Sequence, residues 1–184
     1  LHLIPDTING ERELVEAAGL KVLSVNPRND FVQLDNNVLK HEIEIAKKCI
    51  DAAVELNCDN VRLFGGEPKE GVDEKDCFTL MVKAFKAVSN YAEERDVKIA
   101  FENHGRLTSD YKLQLRILEE VDSDALGLTL DTGNYYRYGY PLSEVQKILD
   151  MLAEKAYHVH LKGAKAPTDR KEKWRKYDEA KFVP

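Results

Sequence analysis

The sequence is poor in cysteine, lacks a long apolar run and has no excess of positive charge. Its three cysteines, Cys49, Cys58 and Cys77, are an odd number and lack the C-x-x-C spacing of a metal site. We therefore expect buried free thiols and a reducing, cytoplasmic compartment. No stretch approaches the roughly 18 apolar residues that a membrane span requires. These shortages argue against a disulfide-bonded scaffold and a membrane protein.

The charge balance argues against a third class. The 184 residues carry a formal net charge of −6, whereas sequence-independent nucleic-acid binding depends on clustered Lys and Arg. We therefore predict no nucleic-acid partner. The chain has 43% apolar residues and the length of one compact unit, so we treat residues 1–184 as a single domain with its own core.

Helical and strand-like patterns alternate along the whole chain. The helical spacing of apolar residues predicts helices over 9–19, 37–57, 76–95, 110–121 and 141–155. Between them, short apolar runs predict strands over 21–26, 61–64, 97–102, 126–131 and 157–162, and Leu1 to Ile4 reads as the tail of another. Five such repeats are typical of a wound α/β fold with a parallel sheet.

The two faces of the predicted strands differ. Leu126, Leu128 and Leu130 alternate with small or polar residues, and Tyr157, Val159 and Leu161 alternate with His158, His160 and Lys162. A doubly wound sheet buries both faces under helices and would show continuous apolar runs. One apolar and one polar face instead predict a (β/α)8 TIM barrel, with helices outside and a polar site at its mouth.

The length suits only part of such a barrel. A closed eight-stranded barrel takes about 250 residues. We therefore expect an incomplete barrel of five to six βα units, with the first and the last units missing. Its open strand edges would have to be covered, for instance by a second copy of the chain.

Three polar residues recur at one position in the predicted repeats. Asp131 follows Glu102 by 29 residues, and His160 follows Asp131 by 29 residues. Each lies near the end of a predicted strand, and the ends of parallel strands meet at one rim. We predict that the three side chains bind a divalent cation, and their oxygen and nitrogen donors suit manganese, zinc, cobalt or magnesium equally.

Each of these residues also has a structural interpretation. Glu102 could form an internal salt bridge with Lys98 or Lys162. Asp131 precedes Thr-Gly-Asn, which is common turn and capping chemistry. His158, one layer deeper than His160, suits a supporting or packing role. The shared register of the three favours ligation.

Other polar residues lie near the same strand ends. His104, Asn103, Asn134 and Lys162 are within four residues of a predicted ligand, where they could hold substrate hydroxyls or stabilise an enolate oxygen. Arg62 and Glu67 flank Phe64-Gly65-Gly66, whose glycines permit a tight turn without establishing a phosphate cradle. We predict substrate contacts for His104, Asn103, Asn134, Lys162 and Arg62.

Four segments together resemble the xylose-isomerase-like TIM-barrel superfamily of sugar phosphate isomerases and epimerases: residues 61–66, 101–104, 130–134 and 158–162. The resemblance implies a divalent metal on Glu102, Asp131 and His160, and a fourth ligand, a glutamate from the final strand, that nothing here matches. It also implies that Glu102 moves a proton of a keto sugar or polyol through an enediolate. Only Glu102 of the family's catalytic glutamate pair is present, which leaves open whether this chain is itself active.

Other functions stay open. A dehydratase of the inosose or dehydroshikimate type would use the same metal and base to expel water. The apurinic endonuclease relatives need a histidine-rich ligand cluster and a basic surface, which five histidines and a net charge of −6 do not favour. A non-catalytic barrel remnant that binds a metabolite or a partner through its open edges is the third alternative.

Overall fold

The computed structural model describes residues 8–163, in which helices alternate with four parallel strands. The helices are α1 (Ile8–Ala17), α2 (Asn36–Glu55), α3 (Glu74–Glu93), α4 (Gly105–Thr108), α5 (Tyr111–Val121), α6 (Asn134–Tyr138) and α7 (Leu142–Leu152), followed by a 3-10 turn (Ala153–Lys155). The strands are β1 (Asn60–Leu63), β2 (Lys98–Glu102), β3 (Leu126–Asp131) and β4 (Ala156–His160). The predicted elements that form agree with these bounds to within three residues.

The long helices begin where the sequence supplies an aspartate cap. The side chain of Asp35 accepts the N–H groups of Asn37 and Val38 at the start of α2. Asp73 caps α3 through the N–H of Asp76, and Asp110 caps α5 in the same way. These bonds satisfy N–H groups that lack a partner in the first turn of a helix, so each cap fixes a helix start.

The strands form one sheet in the order β1-β2-β3-β4, and every neighbouring pair is parallel. Sequential order with a helix between neighbours is the arrangement of a TIM barrel. The described sheet is therefore half of a barrel wall, and the predicted partial TIM barrel is confirmed.

The apolar face of the sheet packs against the helices. Val61, Ile99, Phe101 and Leu128 are each 0% exposed and join one core with the inner faces of α2, α3 and α5. The opposite face carries the polar and small residues that alternate with them, and it too is buried along β1 to β3. The predicted division into an apolar and a polar face is thus correct for β1 to β3.

The prediction of a strand over 21–26 is wrong. Val25 makes only an isolated bridge to Val61, through the bonds Val25 N–H to Asn60 O and Arg62 N–H to Val25 O. Pairing cannot continue past Asn26, because Pro27 has no N–H to donate. On the other side of Val25 the partner strand is also short, because β1 has only one residue, Asn60, before Val61.

The alternation predicted for β4 is interrupted at Tyr157. The register passes from Leu128 opposite Ala156 to Thr129 opposite His158, which leaves Tyr157 as an extra residue. A Cβ built on Gly127 would lie 2.5 Å from the Tyr157 ring, so this ring covers the same face of β3 that carries Thr129. The placement of Tyr157 on the outer apolar face was therefore wrong, since a bulge reverses the side on which a residue points.

Both edges of the described sheet expose apolar side chains. Val159 and Leu161 are 52% and 86% exposed at the β4 edge, and Leu23 is 65% exposed near Val25. Coverage of these edges by a second copy stays a prediction. The predicted strand tail at Leu1 to Ile4 lies outside the described residues. Among helices between residues 8 and 163, none combines the length and apolar character needed to cross a membrane.

Candidate metal centre

The last residues of three adjacent strands meet at the carboxyl end of the sheet. Glu102 ends β2, Asp131 ends β3 and His160 ends β4, and Asp131 and His160 are register partners. Each has a side chain on the polar face, as the 29-residue spacing predicts. In TIM barrels this end of the strands carries the active site.

The three side chains lie close enough to share one ion. One donor atom from each of Glu102, Asp131 and His160 lies within 4.8 Å of the others. The Nδ1 atom of His160 is 3.5 Å from Glu102 Oε1 and 3.7 Å from Asp131 Oδ2. Donors that bond one cation at about 2.1 Å are separated by about 3 to 4 Å, so these spacings fit the donor set of a divalent ion.

The two oxygens of Asp131 have different surroundings. Oδ1 accepts the N–H groups of Gly133 at 2.9 Å and Asn134 at 3.2 Å, which is the turn chemistry that the sequence suggested. Oδ2 is buried and accepts no hydrogen bond, although the Lys162 ammonium lies 2.6 Å away outside hydrogen-bonding geometry. One oxygen therefore holds the turn, and the other is left for a cation.

Asn103 fixes the end of β3. Its Nδ2 donates to the carbonyl of Asp131 at 3.0 Å, and its Oδ1 accepts the Asp131 N–H at 2.7 Å. The side chain is 0% exposed. The side-chain amide thus extends the hydrogen bonding between β2 and β3 by two bonds. This placement gives no support to the predicted substrate contact.

Glu102 is buried among positively charged and polar groups. It is 4% exposed, and its Oε2 lies 3.3 Å from Arg62 Nη1 while its Oε1 accepts the Asn134 amide at 3.2 Å. Burial alone would raise the pKa of this carboxyl. The His104 imidazole and the Arg62 guanidinium more than offset burial, so the pKa of Glu102 lies below its ordinary value.

The ion pairs of the site differ from the salt bridge of Glu102 with Lys98 or Lys162 that the sequence offered as an alternative to metal binding. Glu102 pairs with Arg62 and not with Lys98 or Lys162. The Lys98 ammonium donates to the carbonyl of Asp124 at the opposite end of the sheet, because Lys98 begins the strand that Glu102 ends. Lys162 instead lies against Asp131 and reaches Asn134 Oδ1 at 3.3 Å.

His158 lies one layer below His160, with the two rings 5.1 Å apart and nearly perpendicular. Burial lowers the pKa of His158, and the neighbouring His160 and Arg62 lower it further. A neutral imidazole at this depth suits the supporting role that the sequence indicated.

A cavity of about 410 Å³ opens beside Glu102. Arg62 and His104 line it together with residues from two preceding loops: Arg28, Asn29, Asp30, Phe64, Gly66 and Glu67. The Phe64 ring contacts both the His104 ring and the Arg62 guanidinium, at 4.6 and 4.1 Å. Arg28 to Asp30 were not predicted as site residues, although they follow the predicted strand 21–26 and so stand where polar residues after the other strands were expected to meet.

The glycines of the Phe64-Gly65-Gly66 turn allow close packing against the loop that contains Asp30 and Val32. Gly66 has a φ of +129°, and a Cβ there would collide with the Asp30 side chain and with Val32. Asn29 bonds both the N–H and the carbonyl of Phe64, at 2.9 and 2.7 Å. The glycines therefore let two loops close on each other at the edge of the cavity.

The predicted site residues thus converge, and one of them, Asn103, differs in its placement. Glu102, Asp131 and His160 form the cluster, and Arg62, His104, Asn134 and Lys162 surround it. Asn103 lies behind it. All of these residues belong to the four strands or to the turns that follow them, except Asn134, which begins α6.

Solved structures match this chain over most of its length. A D-tagatose 3-epimerase-like protein is 22% identical over 88% of this chain and 63% of its own, with a TM-score of 0.76. The mannonate dehydratase of Streptococcus suis serotype2 is 17% identical over 90% and 62%, with a TM-score of 0.74. A xylose isomerase-like TIM barrel protein of Mycobacterium smegmatis, solved with magnesium, is 16% identical over 90% and 58%, with a TM-score of 0.73.

These identities establish a shared fold, and this chain spans less than two thirds of the length of each of the three proteins. A search of curated protein sequences finds no significant match. The sequence profile described as "Xylose isomerase-like TIM barrel" matches residues 1–180. The chain therefore belongs to the xylose isomerase-like TIM barrel family.

Proposed function

We propose that this chain carries the metal centre of a divalent-cation-dependent isomerase or epimerase that acts on a keto sugar or sugar phosphate. The supporting observation is the cluster of Glu102, Asp131 and His160 at one strand-end rim, with donor atoms within 4.8 Å of each other. Two carboxylates and an imidazole whose donor atoms lie this close together form a set that a divalent cation can bind.

The donor set fits a divalent cation. Oδ2 of Asp131, which accepts no hydrogen bond, offers one anionic donor, Glu102 a second, and the half-buried His160 imidazole a neutral one. Three protein ligands leave at least one position open for a substrate oxygen. Magnesium in the matched Mycobacterium smegmatis protein supports a cation of this kind, and manganese, zinc and cobalt suit the same donors.

A divalent cation at this rim would polarise the oxygens of a bound keto sugar and make the neighbouring C–H more acidic. Glu102 is the group placed to accept that proton. It lies against Arg62 and His104, two residues that line the cavity, and its lowered pKa keeps it ionised near neutral pH. A base must begin the reaction unprotonated, so this environment suits the role.

The groups around the cluster would orient the substrate. His104, 46% exposed in its side chain, and Arg62 line the cavity and could hold sugar oxygens. Asn134 already links Glu102 to Lys162 and would keep the base in position. We assign Asn103 to positioning Asp131, since both of its amide groups are bonded to backbone.

A dehydratase reaction is the second candidate, because the same base and cation could expel water, and the similarity to a mannonate dehydratase fits it equally well. Product analysis separates the two reactions: an isomer of unchanged mass supports the first, and a product lighter by one water supports the second. A metabolite-binding or partner-binding remnant is the third. The cytoplasmic location stays a prediction.

Metal content is the primary test. The full chain, freshly purified and dialysed against Mn²⁺, is expected to retain about one equivalent by elemental analysis, and Glu102→Gln and His160→Ala are expected to lose it. Glu119→Gln and His41→Ala, at exposed positions far from the cluster, serve as matched controls and should retain it. If the unmodified chain binds no Mn²⁺, Zn²⁺, Co²⁺ or Mg²⁺, the proposal is wrong.

Turnover is the second test. A panel of keto sugars and sugar phosphates is incubated with the chain and Mn²⁺, and exchange of the proton beside the carbonyl with D2O is followed by NMR. Exchange that disappears in Glu102→Gln while metal is restored by excess Mn²⁺ would assign the base. Metal binding without exchange on any sugar would favour the binding remnant.

A further inference from the structure

Lys162 occupies the position that a cation would take at Asp131. Its Nζ atom is 2.6 Å from Asp131 Oδ2 and 3.3 Å from Asn134 Oδ1. Asp131 is 0% exposed and Oδ1 is committed to two N–H groups of the following turn, so Oδ2 is the oxygen that faces the site. The ammonium therefore neutralises the single carboxylate oxygen through which Asp131 could bind a metal.

The fold holds the lysine backbone in place while leaving its side chain room to move. The Lys162 N–H donates to Thr132 Oγ1 at 2.9 Å, which anchors the residue beside the turn after β3. The side chain crosses Gly133, where an added Cβ would lie only 3.1 Å from Lys162 Cδ. The Lys162 side chain is 47% exposed, so the ammonium has an open path to solvent.

An ammonium and a divalent cation cannot both stay on this oxygen at low cost. Two positive charges a few ångströms apart repel strongly where burial excludes water, and Asp131 is fully buried. The carboxylate on Glu102 does not relieve this repulsion at Lys162, because it already faces Arg62 at 3.3 Å.

We propose that Lys162 is a built-in counter-cation that stabilises the metal-free site and must leave Asp131 when a divalent metal binds; this inference depends on the proposed metal site. Displacement of Lys162 opposes metal binding, so the affinity of the centre is set partly by this ion pair. Without Lys162, the metal-free protein would hold an uncompensated buried carboxylate, while the metal-bound protein would lose nothing at Oδ2.

The test compares Mn²⁺ affinity by isothermal titration calorimetry in the full chain and its variants. Lys162→Met and Lys162→Gln are expected to bind Mn²⁺ about tenfold or more tightly than the unmodified protein, since the competing charge is gone. Lys162→Arg keeps the charge and should stay near the unmodified affinity. Lys155→Met is the matched control, because Lys155 is exposed and directly precedes the start of β4, at the end of the sheet away from the cluster. It should leave the Mn²⁺ affinity unchanged.

Thermal unfolding in EDTA supplies a readout that does not depend on metal. Lys162→Met is expected to melt at a lower temperature than the unmodified protein, and the double variant Asp131→Asn with Lys162→Met is expected to recover most of the loss. Circular dichroism checks that each variant is folded before titration. A melting temperature unchanged by Lys162→Met would overturn the counter-cation role.

The outcomes separate the two proposals. If the unmodified chain binds Mn²⁺ and Lys162→Met and Lys162→Gln bind it equally or more weakly, Lys162 supports the metal-bound state and the inference is wrong, while the metal site stands. If no protein in the series binds Mn²⁺, both proposals fail. Tighter binding confined to the two uncharged variants is the result that supports displacement.

Discussion

The side-chain amide of Asn103 bonds both backbone groups of Asp131, donating to the carbonyl at 3.0 Å and accepting the N–H at 2.7 Å. These bonds join the residue after β2 to the last residue of β3, where the candidate metal ligand stands. They set the height of Asp131 relative to Glu102, which immediately precedes Asn103.

Asn103→Ala should destabilise the fold and weaken metal binding. The change leaves a buried N–H and a buried carbonyl without partners, which costs about 2–4 kcal/mol in the free energy of unfolding. Urea denaturation and Mn²⁺ titration measure both effects, and Asn90→Ala, at an exposed position on α3, is the control. Unchanged stability with a raised KM for a sugar would instead support the sequence-based prediction of substrate contact.

Glu102→Gln should alter how stability depends on pH in metal-free protein. The folded pKa of Glu102 lies below its ordinary value, so the ionised carboxylate stabilises the fold above the unfolded pKa of about 4.3 and this contribution is lost as the pH falls. Between pH 7 and pH 3.5 the unmodified protein should therefore lose more of its unfolding free energy than Glu102→Gln does. Urea denaturation in EDTA measures it, and a difference that is constant with pH would contradict the lowered pKa. Glu119→Gln is the exposed control.

Gly127→Ala and Gly10→Ala should have opposite effects. A Cβ at Gly127 would meet the Tyr157 ring at 2.5 Å and the Lys155 carbonyl at 2.8 Å, so we expect a loss of about 1–3 kcal/mol. Gly10 lies in α1 with nothing within 4 Å of an added Cβ, so alanine there should stabilise the helix by up to about 1 kcal/mol. Thermal and urea denaturation test the pair. Equal effects would show that the Tyr157 contact does not constrain β3.

The three thiols should be unreactive in the native protein. Cys49, Cys58 and Cys77 are all buried and free, as predicted from the sequence. Burial raises the pKa of Cys49 to about 11 and raises the pKa of the other two, so only about a thousandth of Cys49 would be thiolate at pH 8 if it were reached at all. Ellman's reagent should therefore detect almost no thiol before unfolding and three per chain in guanidinium chloride. A fast reaction of one equivalent in native protein would contradict this.

The sequence pattern predicted a strand correctly where that strand pairs with neighbours along most of its length. Leu126 to Asp131 was predicted with its observed bounds, because the strand lies between two neighbours and alternates without interruption. Residues 21–26 have equally good strand composition, yet Val25 makes one bridge only, since pairing depends on what the partner strand offers. The short helices α4 and α6 were not predicted, because four or five residues carry too little periodicity.

The sequence by itself indicated the parallel strand-helix repeat and the three candidate ligands, because these follow from spacing along the chain, and four short segments carried the resemblance to the family. Only the tertiary structure decided how their neighbours are used: which side-chain cation faces which carboxylate, which oxygen of Asp131 accepts the hydrogen bonds of the turn, and that Asn103 bonds to backbone. The physical reason is that the two kinds of information act over different distances along the chain. Periodicity records where each side chain leaves its own strand, whereas ion pairs and buried hydrogen bonds depend on atoms that separate strands bring within about 3 Å of each other.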